Sequence, residues 1–225
     1  MKWTWWKILA IILLLYTVTV GLLIEVPRQP ILNETIRNLF YHVTMWFAMF
    51  ILAGISFFHS ISYLSTERIE QDRKAHAFAH AAIFFGILGL VTGMIWVNYS
   101  WNTNPNKIVL WVKQDSKLRG AAAGTLIYAA YLVLRLFVND PIKRGRFSAV
   151  YNIFGFIMLL LFSFVIPRMN ETTLHPGNGG NPGFNIYDVS SNMRLVFYPA
   201  IIAFTLLGIW LAGLRVRITR LKSKI

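Results

Sequence analysis

Residues 96–120, WVNYSWNTNPNKIVLWVKQDSKLRG, separate two halves of the chain that each contain three long apolar runs. This stretch contains four asparagines, three lysines and an arginine. It is too polar to cross a bilayer, because one charged side chain at the bilayer centre costs about 2.5–3.5 kcal/mol on insertion scales. The alternation of apolar runs with this polar stretch therefore predicts a membrane protein with three spans on either side of an exposed loop.

Three tryptophans, Trp96, Trp101 and Trp111, distinguish this stretch from an ordinary linker. Trp96 ends the preceding apolar run, where tryptophan commonly anchors in the lipid headgroup layer. Trp101 and Trp111 lie further into the polar part, where such anchoring does not explain them. A polar loop with flat aromatic faces beside a membrane favours the binding of a flat apolar ligand.

The composition places the whole chain in lipid. Of its 225 residues, 56% are hydrophobic and 14% are charged, with a mean hydropathy of +0.54, whereas soluble domains are about one quarter charged. We predict an all-α integral membrane protein that forms a single domain over residues 1–225, with six transmembrane helices of about 20 residues each. The predicted spans are residues 8–24, 39–64, 75–96, 121–138, 147–167 and 195–214.

The chain opens with a basic, aromatic lead, MKWTWWK. The apolar run that follows it is long and lacks a small-residue cleavage site before Glu25, so we interpret it as a retained span rather than a signal peptide. The absence of cysteine excludes thiol redox chemistry, thiolate metal sites and disulfides.

The net charge of +13 comes from short basic clusters between the apolar runs. That placement favours orientation in a membrane over nucleic-acid binding. Most of the 22 Lys and Arg residues lie on the side that carries both termini. We therefore predict that both termini are cytoplasmic and that the tryptophan stretch and the loop containing His175 lie on the outer side of the membrane.

Two of the five histidines, His42 and His175, lie on this predicted outer side. Either one alone has the simpler interpretation of an interfacial polar group. Together, however, two neutral imidazoles can bind a haem iron from opposite faces, and Trp101 and Trp111 are suited to cover the apolar porphyrin. The cations considered as partners of the haem propionates are Lys117, Arg119, Arg168 and Arg194.

The remaining histidines, His59, His76 and His80, belong to the predicted inner side. His59 and His42 are roughly 25 Å apart along one helix, at about 1.5 Å per residue, and cannot share a ligand. His76 and His80 have the i, i+4 spacing of one helix face. A second, inner haem or metal site is one interpretation, and a solvated or lipid-facing pair is the other.

Four segments resemble the haem-handling membrane proteins of cytochrome c maturation, in particular the CcmC/CcsA type. They are RNLFYHVTMWFAM (37–49), VTGMIW (91–96), GAAAGTLIYAAYLVLR (120–135) and TLHPGN (173–178). The resemblance follows the chain order and covers nearly the whole sequence.

This resemblance implies a haem-binding and delivery protein rather than an enzyme, at most a haem-lyase-like assembly factor. It implies that His42 and His175 are the axial ligands of a transiently bound haem b, and that Trp101, Trp111 and Asp115 belong to a haem platform. The implied partners are a periplasmic haem chaperone and the membrane and ATPase subunits of an ABC-type transporter. The platform differs from the family pattern, which has a glycine in place of Asn102 and a tryptophan in place of Gln114.

One alternative is a cytochrome b-like electron-transfer subunit of a quinone oxidoreductase. It would hold two haems tightly between histidine pairs on facing helices. The chain has no paired carboxylates, no serine–histidine arrangement and no phosphate-binding glycine loop, so hydrolytic and phosphoryl-transfer chemistry is unsupported.

Overall fold

The computed structural model describes residues 4–28, 32–100, 115–169 and 189–222. Within these ranges the chain forms six long helices and no strand, and each helix is long and apolar enough to cross a membrane. The predicted six-span, all-helical architecture is confirmed. The long helices are α1 (Trp5–Leu23), α2 (Leu39–Thr66), α3 (Ile69–Ser100), α4 (Ser116–Phe137), α5 (Pro141–Leu160) and α6 (Ser191–Lys222).

Three short helical segments complete the described part of the chain. A 3₁₀ helix, Asn33–Asn38, leads into α2. After α5 the backbone continues as a π-helical turn, Leu161–Val165, and a 3₁₀ turn, Ile166–Met169. The connection between the predicted spans 8–24 and 39–64 is therefore partly helical.

The helices extend beyond the apolar runs that predicted them. The charged segment expected as a loop before residue 75 is already the first turn of α3, where the carboxylates of Glu70 and Asp72 complement the positive end of the helix dipole. The connection expected between the predicted spans 121–138 and 147–167 is also shorter, because Asp140 caps α5 by accepting a hydrogen bond of 2.7 Å from the Lys143 amide. An apolar run thus marks only the part of a helix that lies in lipid.

One end of the bundle carries the start of α1, the end of α6 and the short turns α2–α3 and α4–α5. At this end an ion pair between Arg220 and Glu70 joins α6 to α3, and one between Arg146 and Glu67 joins α5 to the α2–α3 turn. We name it the termini end. The opposite end, where α3 finishes and α2, α4 and α6 begin, is named the loop end.

Helices α2 and α3 form the centre of the bundle. Helix α6 packs on both and carries α1 on its far side, while α4 and α5 pack together on the other flank. The core includes the fully buried side chains of Met49, Leu52 and Tyr128. A second buried cluster, which includes Phe40 and Phe197, closes the loop end beneath the Asn33–Asn38 helix.

Candidate functional site

His42 lies near the start of α2 at the loop end, and only 5% of its surface is exposed. Its Nδ1 is 3.1 Å from Thr92 Oγ1 on α3. The Thr92 hydroxyl donates to the Leu88 carbonyl oxygen at 2.8 Å, so its oxygen acts as the acceptor for His42 Nδ1–H. The proton is thereby held on Nδ1 and the lone pair on Nε2, which is how a second residue fixes the tautomer of a metal-binding histidine.

The backbone of α3 approaches the His42 ring closely because residue 93 is glycine. A Cβ atom at Gly93 would lie 2.6 Å from His42 Cε1, a distance that no real side chain tolerates. The imidazole therefore lies directly against α3, where Thr92 orients it. Any larger residue at position 93 would displace the ring.

Two tryptophans pack on the imidazole edge-to-face. The ring centroids of Trp46 and Trp96 are 6.4 and 5.8 Å from that of His42, with interplanar angles of 82° and 71°. Trp96 is half-buried, and its Nε1 donates to Thr35 Oγ1 at 3.1 Å. Trp96 therefore contacts His42 directly, which the interfacial role indicated by the sequence did not predict.

Sequence reasoning did not single out Trp46, Thr92 or Gly93 as site residues. Trp46 follows His42 by one helical turn, so both lie on the same face of α2. Thr92 and Gly93 belong to the VTGMIW segment, in which the sequence indicated a family resemblance but no role for these two residues. The pairing of these two helix faces is a long-range contact that local patterns do not specify.

Asp115 is the second predicted site residue that the structure describes. It precedes α4 as the N-cap, and its Oδ1 accepts the Leu118 amide hydrogen at 2.9 Å. Only 3% of its surface is exposed. The carboxylate therefore has a defined structural role in starting α4, whatever further role it has toward a ligand.

The other predicted site residues, Trp101, Trp111 and His175, lie outside the described residues. Among the cations considered for a ligand's acidic groups, Arg119 and Arg168 are exposed at the loop end. Arg194 Nε donates to the Val189 carbonyl oxygen at 3.0 Å.

The histidines of the termini end have separate surroundings. His59 Nδ1 lies 2.7 Å from Gln71 Oε1, and its ring stacks on Phe78 with centroids 5.8 Å apart. His76 and His80 contact each other with centroids 4.5 Å apart. Within the described ranges no group of three or more metal-binding side chains converges at either end.

The polar contact of His80 is with a cation. Arg215 Nη2 lies 2.7 Å from His80 Nε2, so the guanidinium donates and the imidazole accepts as a neutral ring. This contact engages Nε2, one of the two nitrogens through which a neutral imidazole can bind a metal.

Comparison with known proteins provides independent evidence about the family to which this chain belongs. A family model described as "Heme exporter protein C" (CcmC) matches residues 1–225. The "Heme exporter protein C" of Bradyrhizobium diazoefficiens is 30% identical over 192 residues, which are 84% of this chain and 68% of that protein. A "Cytochrome c biogenesis protein CcsA" of Prochlorococcus marinus is 31% identical over 109 residues, 48% of this chain and 31% of the relative.

Proposed function

This chain belongs to the haem exporter protein C (CcmC) family, and from that membership we propose that it binds haem b at the loop end and delivers it for cytochrome c assembly. Haem is then its cargo rather than a resident cofactor. The proposed axial ligands are His42 and His175, and the proposed platform comprises Trp101, Trp111 and Asp115. The resemblance of the TLHPGN segment to the family's second histidine loop supports His175.

The observation that carries this proposal is the hydrogen bond from His42 Nδ1 to Thr92 Oγ1, at 3.1 Å. A haem iron binds the lone pair of a neutral imidazole, and this bond keeps that lone pair on Nε2. Trp46 and Trp96 pack edge-to-face with the imidazole ring, which restricts its rotation. A ligand held in one orientation loses less entropy on binding than a mobile one.

The resemblance and the charge distribution support a specific cellular setting. We propose that the loop end faces the periplasm, because most described Lys and Arg residues lie at the termini end and basic segments favour the cytoplasmic side. Bound haem would then be accessible to a periplasmic haem chaperone. We propose ABC-type membrane and ATPase subunits as further partners in a bacterial inner membrane.

The proposed chemistry is binding and release. The described residues at the loop end supply an imidazole ligand and aromatic contacts. Two axial histidines would retain haem reversibly, and handing it over requires only that both iron–nitrogen bonds break. The chain therefore acts as a haem-delivery protein.

The proposal is tested by measuring haem in the purified full-length protein with the pyridine haemochrome assay. His42→Ala and His175→Ala should each retain much less haem than the wild type and lower cytochrome c formation in cells. His59→Ala is the matched control, because it removes an imidazole at the termini end. A variant lacking both His42 and His175 that still retained stoichiometric haem would refute the proposal.

The same haemochrome assay distinguishes haem delivery from the alternative function of electron transfer. That alternative predicts two haems that survive replacement of both His42 and His175. Such a result would assign the haem ligands to the histidines of the termini end.

A further inference from the structure

A cavity of about 380 Å³ opens at the termini end, between α1, α2, α3 and α6. Its walls include the aromatic rings of Trp6, Phe78 and Trp210 and the side chains of three cations, Lys7, Lys74 and Arg217. None of these residues takes part in the haem site at the loop end. The cavity is therefore separate from the proposed haem site.

The innermost cation of this cavity is Lys7, which is only 2% exposed. Its Nζ lies 5.6 Å from the centre of the Trp6 ring and 5.5 Å from that of Trp210. The two indoles contact each other edge-to-face with centroids 6.3 Å apart. Because indole faces attract cations, this arrangement stabilises a positive charge well below the protein surface.

Lys74 and Arg217 add positive charge to the same cavity. Neither makes an ion pair within the described part of the chain. The nearby Arg220 also lines the cavity, but its guanidinium pairs with Glu70. The other described residues that line the cavity carry no negative charge, so Lys74 and Arg217 give this described lining an excess of positive charge.

The other walls of the cavity are apolar. They include Ile209 and Leu214 of α6 in addition to the aromatic rings. A site for a small, fully hydrated anion would not need such walls. An anionic group attached to an apolar chain satisfies both kinds of surface.

We propose that this cavity binds the phosphate headgroup of an anionic phospholipid from the leaflet at the termini end. Basic pockets between transmembrane helices recognise such headgroups, and Trp6 and Trp210 have the amphipathic character suited to the interface. The basic, aromatic lead MKWTWWK thereby gains a function, since it supplies Trp6 and Lys7 to the site. An acyl chain would continue along the exposed apolar surface of α1, where Leu9 and Ile12 lie.

The test is a lipid titration of the full-length protein in detergent, followed by native mass spectrometry. The probes are dioleoylphosphatidylglycerol and dioleoylphosphatidylcholine. Lys74→Gln/Arg217→Gln should bind phosphatidylglycerol roughly thirtyfold more weakly than the wild type, because each basic residue contributes about 1 kcal/mol and 1.4 kcal/mol is tenfold. Phosphatidylcholine binding should change less than about twofold, because it lacks the net charge.

Lys143→Gln/Arg68→Gln is the matched control. It removes the same number of charges from exposed positions at the same end, outside the cavity lining. An equal loss of phosphatidylglycerol binding in both double variants would overturn the proposal, because general surface charge would then explain it. A wild type with no preference for phosphatidylglycerol over phosphatidylcholine would also overturn it.

Two further probes distinguish other sources of the anionic group. Inorganic phosphate should not displace phosphatidylglycerol at equal concentration, and displacement would assign the cavity to a soluble anion instead. Haem retention should be unchanged in Lys74→Gln/Arg217→Gln. Loss of haem with unaltered phosphatidylglycerol binding would show that the cavity takes haem and would refute the lipid assignment.

Discussion

Thr92→Val tests whether the hydrogen bond to His42 prepares that histidine for haem. Valine has nearly the shape of threonine but lacks the hydroxyl oxygen that lies 3.1 Å from His42 Nδ1. The substitution therefore removes the acceptor without opening a large cavity. The imidazole keeps its place against Gly93 but loses the group that fixes its tautomer.

The size of the effect follows from the burial of His42, which is 5% exposed. A buried donor without its acceptor costs about 1–3 kcal/mol. Loss of a second residue that orients a metal-binding histidine typically weakens metal binding about 10–100-fold. We expect Thr92→Val to weaken haem binding by about tenfold or more.

The assay is a haem titration of the purified full-length protein, followed by the absorbance of the Soret band. Thermal unfolding of the same variants is measured in parallel. Thr44→Val is the matched control, because Thr44 is also buried and its hydroxyl, among the described residues, donates only to carbonyl oxygens of its own helix. The control should bind haem like the wild type. Equal haem affinities for Thr92→Val and Thr44→Val would refute the role assigned to this hydrogen bond.

Gly93→Ala should lower haem retention and cost about 1–3 kcal/mol of stability by overpacking. Gly54→Ala should do neither, because its new Cβ would lie 3.7 Å from its nearest neighbour. Similar behaviour of the two variants in haemochrome and unfolding assays would contradict the close packing of Gly93 on His42. Asp115→Ala should cost about 1 kcal/mol of unfolding free energy through loss of the α4 cap, and Asp115→Asn should keep that stability because asparagine caps equally well. Arg135→Met should cost about 3–5 kcal/mol, because Asp72, paired with it at 2.6 Å, is left as a buried charge. Adding Asp72→Asn should recover most of the lost stability, and a double variant as unstable as the single one would refute the explanation.

Most of the fold was predictable because a helix that crosses lipid must be both long and apolar. The six apolar runs correspond to six helices. The helix ends were predicted less well, since charged residues such as Glu70 and Asp72 continue α3 beyond the lipid. Their charges are compensated by Arg220 and Arg135 from distant helices, and these long-range pairs are not visible in local sequence.

The candidate site was predictable only in part. His42 was identified from its type and position, but its partners Thr92 and Gly93 depend on how α2 packs against α3. The N-cap role of Asp115 was visible in principle, because an aspartate directly before a helix commonly caps it. The roles of Trp101, Trp111 and His175 stay predictions.

The most direct test of the central claim is low-temperature electron paramagnetic resonance of the full-length protein loaded with ferric haem. Ligation by His42 and His175 predicts the low-spin signal of a bis-histidine haem in the wild type and in His59→Ala. That signal should be lost in His42→Ala and in His175→Ala. A low-spin signal that persists unchanged in either of these two variants would contradict the claim.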